Sequence, residues 1–180
     1  MNDTPTSELM TKRLSLRPVA TADVRPLHAL WTQEPVRRFL WDGEIVPLEQ
    51  TREIVERNRT LIETFGLGIF GLREHGSGTL LGFAGFWHFH EPPALELLYG
   101  VASEHWGRGF ATEAARRVVD HGFETLGFET IGASTDPPNV ASMRVLEKLG
   151  MVPTRRETLD GHDTAFFELR RKAWARSRRT

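Results

Sequence analysis

Two different periods of apolar and polar residues run along the first third of the chain. Residues 13–18 alternate apolar and polar side chains, which is the two-residue period of a strand. Residues 24–31 carry apolar side chains at helical spacing, and Pro26 falls in the first turn, where a helix tolerates a missing N–H. Pro47 stands at a helix-opening position, and an apolar stripe extends from it to Ile62. The pattern therefore predicts one strand followed by two helices.

The middle of the chain has the pattern of three strands and a helix. Residues 67–73 and 79–87 are strand-like and flank a glycine-rich turn of the hairpin type. Residues 94–101 are largely apolar, which indicates a strand that is covered on both faces. A strongly amphipathic stretch from Ala111 to Phe123 predicts the next helix.

The last third alternates strands with a helix. Residues 130–135 are strand-like, and the helical stretch 139–149 ends at Gly150, where a C-terminal cap belongs. Two short strands, 152–158 and 163–169, are joined by an Asp-Gly hairpin turn. A meander followed by alternating strands and helices predicts a mixed α/β (α+β) fold, with one central sheet of about seven strands flanked by helices.

The length of the chain fits one domain. With 180 residues it can bury about 70% of its unfolded surface, so a core forms without disulfides or a metal. We predict a single domain over residues 11–172. Residues 1–10 are expected to form a flexible N-terminal arm, and residues 173–180 a basic C-terminal tail.

Charge and cysteine content exclude several functions. Lys and Arg total 23 and Asp and Glu total 24, so no global charge favours a nucleic-acid or membrane partner. No apolar run approaches the roughly 18 residues of a membrane span, and we expect a soluble, cytoplasmic protein. The absence of cysteine excludes thiolate metal sites and an acyl-cysteine intermediate.

The stretch 99–114 joins the end of a strand to a strong helix. Gly107 and Gly109 would let the backbone approach a ligand closely, and the helix N-terminus offers unpaired N–H groups to an anion. A tight strand-to-helix turn alone would also explain both glycines. Thr112 stands where a GxGxxG motif needs its third glycine, so the sequence does not favour a dinucleotide site.

Asn139 and Ser142 mark the start of the next helix. They lie three residues apart and so share one face of its first turn. Plain capping, with Asn139 as the N-cap, explains both residue types without any ligand.

Three motifs taken together resemble the GNAT superfamily, and within it the RimJ/RimL-like branch. They are TKRLSLRPVATADV (11–24), YGVASEHWGRGFATEA (99–114) and NVASMRVLEKLGM (139–151), and they occur in the order of that branch. Trp106 departs from the Gln or Arg that opens the superfamily's loop motif. Tryptophan is usual there in the RimJ/RimL-like branch, so the departure refines the resemblance.

The resemblance implies acetyl-CoA as the cofactor. Its pantetheine arm would lie in a wedge where the parallel strands 94–101 and 130–135 splay apart, and backbone amides of residues 106–112 would hold the pyrophosphate. The cofactor-binding residues that the resemblance implies are Tyr99, Val101, Trp106, Gly107, Arg108, Gly109, Phe110, Ala111, Thr112, Asn139 and Ser142.

The resemblance also implies direct transfer of an acetyl group to a primary amine in a ternary complex. Glu96, a carboxylate in an apolar strand, is the candidate general base, although it could point to solvent or form a structural salt bridge. Many GNAT members protonate the leaving thiolate with a tyrosine on a helix, whereas Tyr99, the one tyrosine, lies on a predicted strand. The resemblance therefore implies that this role is absent or passes to Ser142, the candidate proton donor. The acceptor would be a protein N-terminal α-amine or a small-molecule amine. A non-catalytic acyl-CoA sensor, another acyl-CoA donor, and an aminoglycoside or amino-acid acceptor stay open.

Four further residues are candidates for the acceptor pocket. Trp31, Trp41, His88 and His90 fall in segments that border the acceptor in similar proteins, although core packing also explains Trp31. His88 and His90 lack a third ligand, so we predict no metal site. Proteins of this branch are often dimers, which makes a homodimer an expectation, although no residue pattern in the chain identifies an interface.

Overall fold

The computed structural model describes residues 8–90, 94–159 and 161–178. This part of the chain forms strands β1 (Leu9–Met10), β2 (Leu14–Pro18), β3 (Ile69–Glu74), β4 (Gly82–Phe89), β5 (Ala94–Val101), β6 (Thr130–Thr135), β7 (Val152–Leu159) and β8 (His162–Arg170). Its helices are α1 (Val24–Trp31), α2 (Glu34–Leu40), α3 (Leu48–Phe65), α4 (Phe110–Glu124), α5 (Val140–Leu149) and α6 (Arg171–Ser177).

The strands form one mixed sheet in the order β1-β2-β3-β4-β5-β6-β8-β7. Strands β1 to β5 pair antiparallel with their neighbours, β5 and β6 are parallel, and β6, β8 and β7 are again antiparallel. The predicted mixed fold is confirmed. The parallel pair divides the sheet into an N-terminal meander and a C-terminal three-stranded unit.

Helices cover both faces of the sheet. Val118 and Phe123 of α4 lie in the core on one face, with the apolar residues of α5. Leu27 and Trp31 of α1 lie in a second core on the opposite face, together with buried residues of α2 and α3. Because successive strand residues point to opposite faces, each strand of the meander contributes to both cores.

The sheet has one strand more than predicted within the described residues. Leu9 is 2% exposed and pairs with Leu16, so Leu9–Met10 belongs to the domain and not to a flexible arm. The apolar side chain of Leu9 is the physical reason, since it packs into the core of the α4 face. Residues 1–7 of the predicted arm lie outside the described residues.

The C-terminal tail is also ordered further than predicted. Residues Arg171–Ser177 form α6, and its Trp174 packs on Phe123 with the ring centroids 5.1 Å apart. The Trp174 indole N–H donates to Asp120 Oδ1 at 2.8 Å, and Arg178 forms an ion pair with the same carboxylate. Trp174 therefore anchors α6 to the domain, although the arginines of this segment favoured the prediction of a solvated tail.

The sequence analysis missed helix α2. Its seven residues bury only Val36 deeply, so they show no apolar stripe, and Pro35 in the first turn looks like a loop signal. None of the helices in the described ranges combines the length and apolar character that a membrane span requires.

The parallel strands β5 and β6 separate soon after they meet. They share one paired position, Glu96 with Gly132, whereas β4 and β5 pair along their whole length. Beyond that position the two strands diverge toward their carboxyl ends, where the loops leading to α4 and α5 begin. This is the splayed wedge that the resemblance implied.

Candidate active site

A cavity of about 790 Å³ opens at the wedge between β5 and β6. Its walls come from both strands, from the first turns of α4 and α5, and from α2. The predicted site residues that line it are Glu96, Tyr99, Val101, Trp106, Gly107, Gly109, Phe110, Ala111, Thr112, Asn139, Ser142 and His90. One cavity thus gathers most of the side chains that the sequence singled out.

One end of the cavity is built from the start of α4. Gly107 and Gly109 have φ angles of 75° and 78°, the left-handed region that favours glycine. A Cβ added at Gly107 would meet nothing within 4 Å, so backbone conformation rather than crowding requires glycine there. The turn directs the unpaired amides of the first turn of α4 toward the cavity, which suits an anionic group.

Two arginines fix this loop from outside the cavity. Arg13 donates to the Arg108 carbonyl oxygen at 2.9 Å and forms an ion pair with Glu113 at 2.6 Å. Arg108 reaches Glu74 at 2.9 Å, and both guanidinium groups stack on the Phe110 ring. The side chain of Arg108 therefore leaves the cavity, and only its backbone can serve a ligand. Sequence reasoning missed Arg13, although it belongs to the RLSLRP motif.

Asn139 caps α5. Its side-chain oxygen accepts from the Ser142 backbone N–H at 3.1 Å, so the capping interpretation of this pair is confirmed. The cap leaves the amide NH₂ of Asn139 as a donor on a residue that lines the cavity.

Tyr99 and Ser142 meet across the wedge on the α4 side of the sheet. The Tyr99 hydroxyl lies 2.9 Å from Ser142 Oγ and 3.1 Å from the Ser142 carbonyl oxygen. Burial raises the pKa of Tyr99 to about 12, against a smaller lowering by the Ser142 hydrogen bond. The phenol therefore stays protonated throughout the neutral range, and its one hydrogen can be donated either to the Ser142 carbonyl oxygen or to Ser142 Oγ.

Glu96 lies on the opposite face of the sheet and is 5% exposed. Its Oε2 accepts a hydrogen bond from Ser134 Oγ at 2.5 Å, and its Oε1 lies 3.3 Å from His90 Nε2. The alternative of a carboxylate that points to solvent is thereby excluded. Sequence reasoning missed Ser134, although it stands two residues after Gly132, the strand partner of Glu96, and so shares its face.

Three of the predicted acceptor residues do not line the cavity. Trp31 is 2% exposed and packs edge-on against Phe83 and Trp41, so both tryptophans serve the core of the α1 face. His88 lies on the opposite face of β4 from Trp87, the residue paired with Glu96. We therefore correct the acceptor roles predicted for Trp31, Trp41 and His88, because their side chains pack elsewhere.

The end of the cavity beside α2 is apolar and acidic. Helix α2 supplies Phe39 and Leu40, and the surrounding loops supply Asp42 and Asp136. Desolvation raises the pKa of Asp136, and the negative charges of Asp42 and Asp163 raise it further. A positively charged group bound at this end of the cavity would therefore be stabilised by these carboxylates.

A shallower depression of about 540 Å³ adjoins the start of α4. It begins at Gly109 and Thr112. Its charged lining consists of four cations and two carboxylates, Arg13, Arg116, Arg117, Lys148, Glu113 and Asp120. Across the described ranges, no group of three or more His, Cys, Asp or Glu side chains is arranged to hold a metal ion.

Comparison with known proteins decides the family. Residues 13–152 match the model of the acetyltransferase (GNAT) domain. The chain belongs to the GNAT acetyltransferase family. It is 33% identical over 147 residues to the uncharacterized protein YkkB of Bacillus subtilis, covering 81% of this chain and 85% of YkkB.

Solved GNAT structures share this fold. An acetyltransferase from Agrobacterium tumefaciens is 27% identical, with a TM-score of 0.77 and coverage of 94% of this chain and 97% of that one. RimL, a ribosomal L7/L12 alpha-N-protein acetyltransferase solved with coenzyme A, gives the same TM-score at 18% identity, covering 93% and 99% of the two chains. The RimL likeness shows the fold alone.

The chain is also 30% identical over 143 residues to the uncharacterized N-acetyltransferase YoaA of Bacillus subtilis, covering 79% of this chain and 81% of YoaA. With the GNAT domain match, this relationship shows an acetyl-CoA-dependent N-acetyltransferase. Its own residues fit that cofactor. The glycine turn before α4 exposes backbone donors, the excess of cations in the depression beside it suits phosphate groups, and the cavity opens between the splayed strands.

Proposed function

We propose that this acetyltransferase carries an acetyl group from acetyl-CoA to a primary amine by direct attack in a ternary complex. Glu96 would act as the general base and Ser142 as the proton donor to the departing thiolate. The observation that supports this proposal is their placement. Glu96 and Tyr99, the partner of Ser142, stand on opposite faces of β5 beside the wedge.

A general base is needed because the attacking amine must be neutral. A lysine-type amine has an ordinary pKa of about 10.4 and is almost wholly protonated at neutral pH, so it must lose a proton before attack. Glu96 is a buried carboxylate whose two oxygens are held by Ser134 and His90. A fixed, water-shielded carboxylate at the cavity wall suits proton abstraction, directly or through one water.

The proposed role of Ser142 as proton donor is supported by its contact with Tyr99. When the Tyr99 hydroxyl donates to Ser142 Oγ rather than to the Ser142 carbonyl oxygen, the serine hydrogen is free to point into the cavity. The high pKa of Tyr99 keeps the phenol a donor during turnover, so it orients Ser142 without giving up its own proton. The absence of cysteine supports direct transfer over an acyl-enzyme route.

Different residues would bind different parts of acetyl-CoA. Backbone amides from Trp106 to Thr112 would hold the pyrophosphate, the edges of Tyr99 and Val101 the pantetheine, and the Asn139 amide its polar groups. Arg116 and Lys148 lie where further phosphate charge could be neutralised. The cofactor supplies an activated acetyl thioester.

For the acceptor we favour a small cationic amine. Asp42 and Asp136 give the acceptor end negative charge, and the apolar wall from α2 suits an alkyl chain between two amines. A protein N-terminal α-amine is the second class. The motifs in residues 11–24, 99–114 and 139–151 support placement in the RimJ/RimL-like branch, and the homodimer and cytoplasmic location stay predictions.

A thiol-release assay tests this proposal. The purified protein is given acetyl-CoA with polyamines, amino acids, aminoglycosides, lysine peptides or peptides with free Ser, Ala and Thr N-termini. We expect acceptor-dependent thiol release, strongest with amines that carry a second positive charge. Release with the N-terminal peptides alone would contradict the preference for a small amine. Tight acetyl-CoA binding without release from any acceptor would favour the sensor function instead.

A further inference from the structure

His90 occupies an unusual place at the end of β4. Its backbone has a φ angle of 65°, in the left-handed region that residues with a Cβ rarely adopt. Its Nε2 lies 3.3 Å from Glu96 Oε1 and 3.2 Å from Ser134 Oγ. A strained backbone therefore places His90 Nε2 beside the buried Glu96 carboxylate and beside Ser134, which donates a hydrogen bond to that carboxylate.

The other side of the same ring is open. The side chain of His90 is 27% exposed, whereas that of Glu96 is 6% exposed. The imidazole packs on the Phe166 ring with the centroids 5.4 Å apart, which fixes its tilt at the cavity wall. His90 thus joins the buried carboxylate to solvent through a single side chain.

We propose that His90 is a proton-relay residue, which takes the proton collected by Glu96 and delivers it to solvent. This inference rests on the proposed function, in which Glu96 is the general base. His90 acts through Glu96 and does not touch the reacting atoms. Ser134 supports the relay by occupying Glu96 Oε2, which leaves Oε1 facing His90 Nε2.

The proton balance shows why such an exit is needed. A protonated amine gives up one proton before it attacks and a second after its C–N bond has formed. The C–S bond then breaks, and the departing thiolate takes up one proton to become a thiol. One proton remains for each acetyl group transferred. The Glu96 side chain is 6% exposed and that of His90 is 27% exposed, so the imidazole offers this proton a path to solvent. An imidazole exchanges protons readily near neutral pH.

One carboxylate lies directly against the ring, that of Glu96, whose Oε1 is 3.3 Å from His90 Nε2. Other titratable groups that line the same cavity include Asp42, Asp136 and His162. Arg155 stacks on the Phe166 ring, 3.8 Å from its centroid, and His90 packs on the same ring. The contact with Glu96 is therefore the direct path by which a proton can reach the imidazole.

A chemical-rescue experiment tests the relay. With an amine from the acceptor panel, we expect His90→Ala to lower kcat about tenfold or more, below the 10²–10⁴ range of groups that act directly. Added imidazole should restore the rate in proportion to its neutral fraction. His90→Gln keeps a donor that does not titrate, so it should stay slow. His75→Ala, at an exposed turn that does not line the cavity, should behave as wild type.

A spectroscopic arm works without any acceptor. Imidazole nitrogen shifts in the labelled protein report the contact itself, and Glu96→Gln should change the shift of His90 Nε2 because it alters the group 3.3 Å from that atom. The relay is overturned if His90→Ala raises only the acceptor KM, if imidazole fails to restore kcat, or if the His90 Nε2 shift is the same in Glu96→Gln. Failure of every acceptor would instead count against the proposed function, while the nitrogen shift still decides the contact.

Discussion

Two polar residues on one strand define the candidate chemistry. Glu96 and Tyr99 lie three positions apart on β5, so strand geometry sends their side chains to opposite faces of the sheet. Each finds a hydroxyl from a different element, Ser134 on β6 for Glu96 and Ser142 on α5 for Tyr99. The splay of β5 from β6 leaves the cavity open to both pairs.

The single tyrosine makes its titration directly measurable. We expect tyrosinate absorbance to appear near pH 12 in the folded protein, against the ordinary value of 10, because Tyr99 is buried. Ser142→Ala should move the midpoint higher still, since the Ser142 hydrogen bond lowers the pKa. A midpoint near 10 in the folded protein would show that Tyr99 is not buried.

The raised pKa of Tyr99 also has a stability consequence. Folding favours the protonated phenol, so this contribution to stability is complete below about pH 10 and is lost as the pH rises toward 12. Two pKa units correspond to about 2–3 kcal/mol of unfolding free energy. The measurement is denaturant unfolding of wild type and Tyr99→Phe between pH 9 and 12. The unfolding free energy of the wild type should fall more steeply with pH than that of the variant.

At the scale of elements, periodic segments were predictable and aperiodic ones were not. The sequence predicted α1, β6 and the hairpin of β7 and β8, because each shows a clear period and a cap or turn residue. It missed β1, α2 and α6, whose few apolar side chains are too widely spaced to show a period. Leu9 and Trp174 order their segments through distant contacts that no local pattern reveals.

The site was predictable to the same degree. Motif residues such as Gly107 and Asn139 come together in one cavity because their segments follow neighbouring strands. Ser134 and Arg13 were missed, since each acts through a partner that is distant in the sequence. Trp31 and Trp41 were misassigned because the sequence does not show whether an aromatic side chain near a cleft faces the cleft or packs into the core.

The loop before α4 offers a matched pair of glycine substitutions. Gly107→Ala and Gly127→Ala each place a Cβ at a φ angle near 75°, where it would meet nothing within 4 Å. Both should cost about 1–2 kcal/mol of unfolding free energy through left-handed strain. Only Gly107→Ala should also weaken acetyl-CoA binding in a titration, because Gly127 lies in the turn after α4, away from the cavity. Equal affinities in the two variants would contradict the anion-site account.

At the scale of the molecule, the sheet separates two tasks. Helices α4 and α5 cover one face and carry the glycine loop and Ser142, which suit the cofactor. Helices α1 to α3 cover the other face, and α2 walls the acidic end of the cavity near Glu96. The wedge between β5 and β6 is the passage through which the two sides meet, so donor and acceptor can approach from opposite faces.

The most direct test of this account is the rate of thiol release by Glu96→Gln with acetyl-CoA and an active amine. The variant keeps the size of the side chain and can still bond to Ser134, so the fold and acetyl-CoA affinity should be unchanged. We predict that kcat falls by about 10²–10⁴ and that the loss diminishes at high pH, where the amine is already neutral. An unchanged kcat across the pH range would contradict the central role of Glu96.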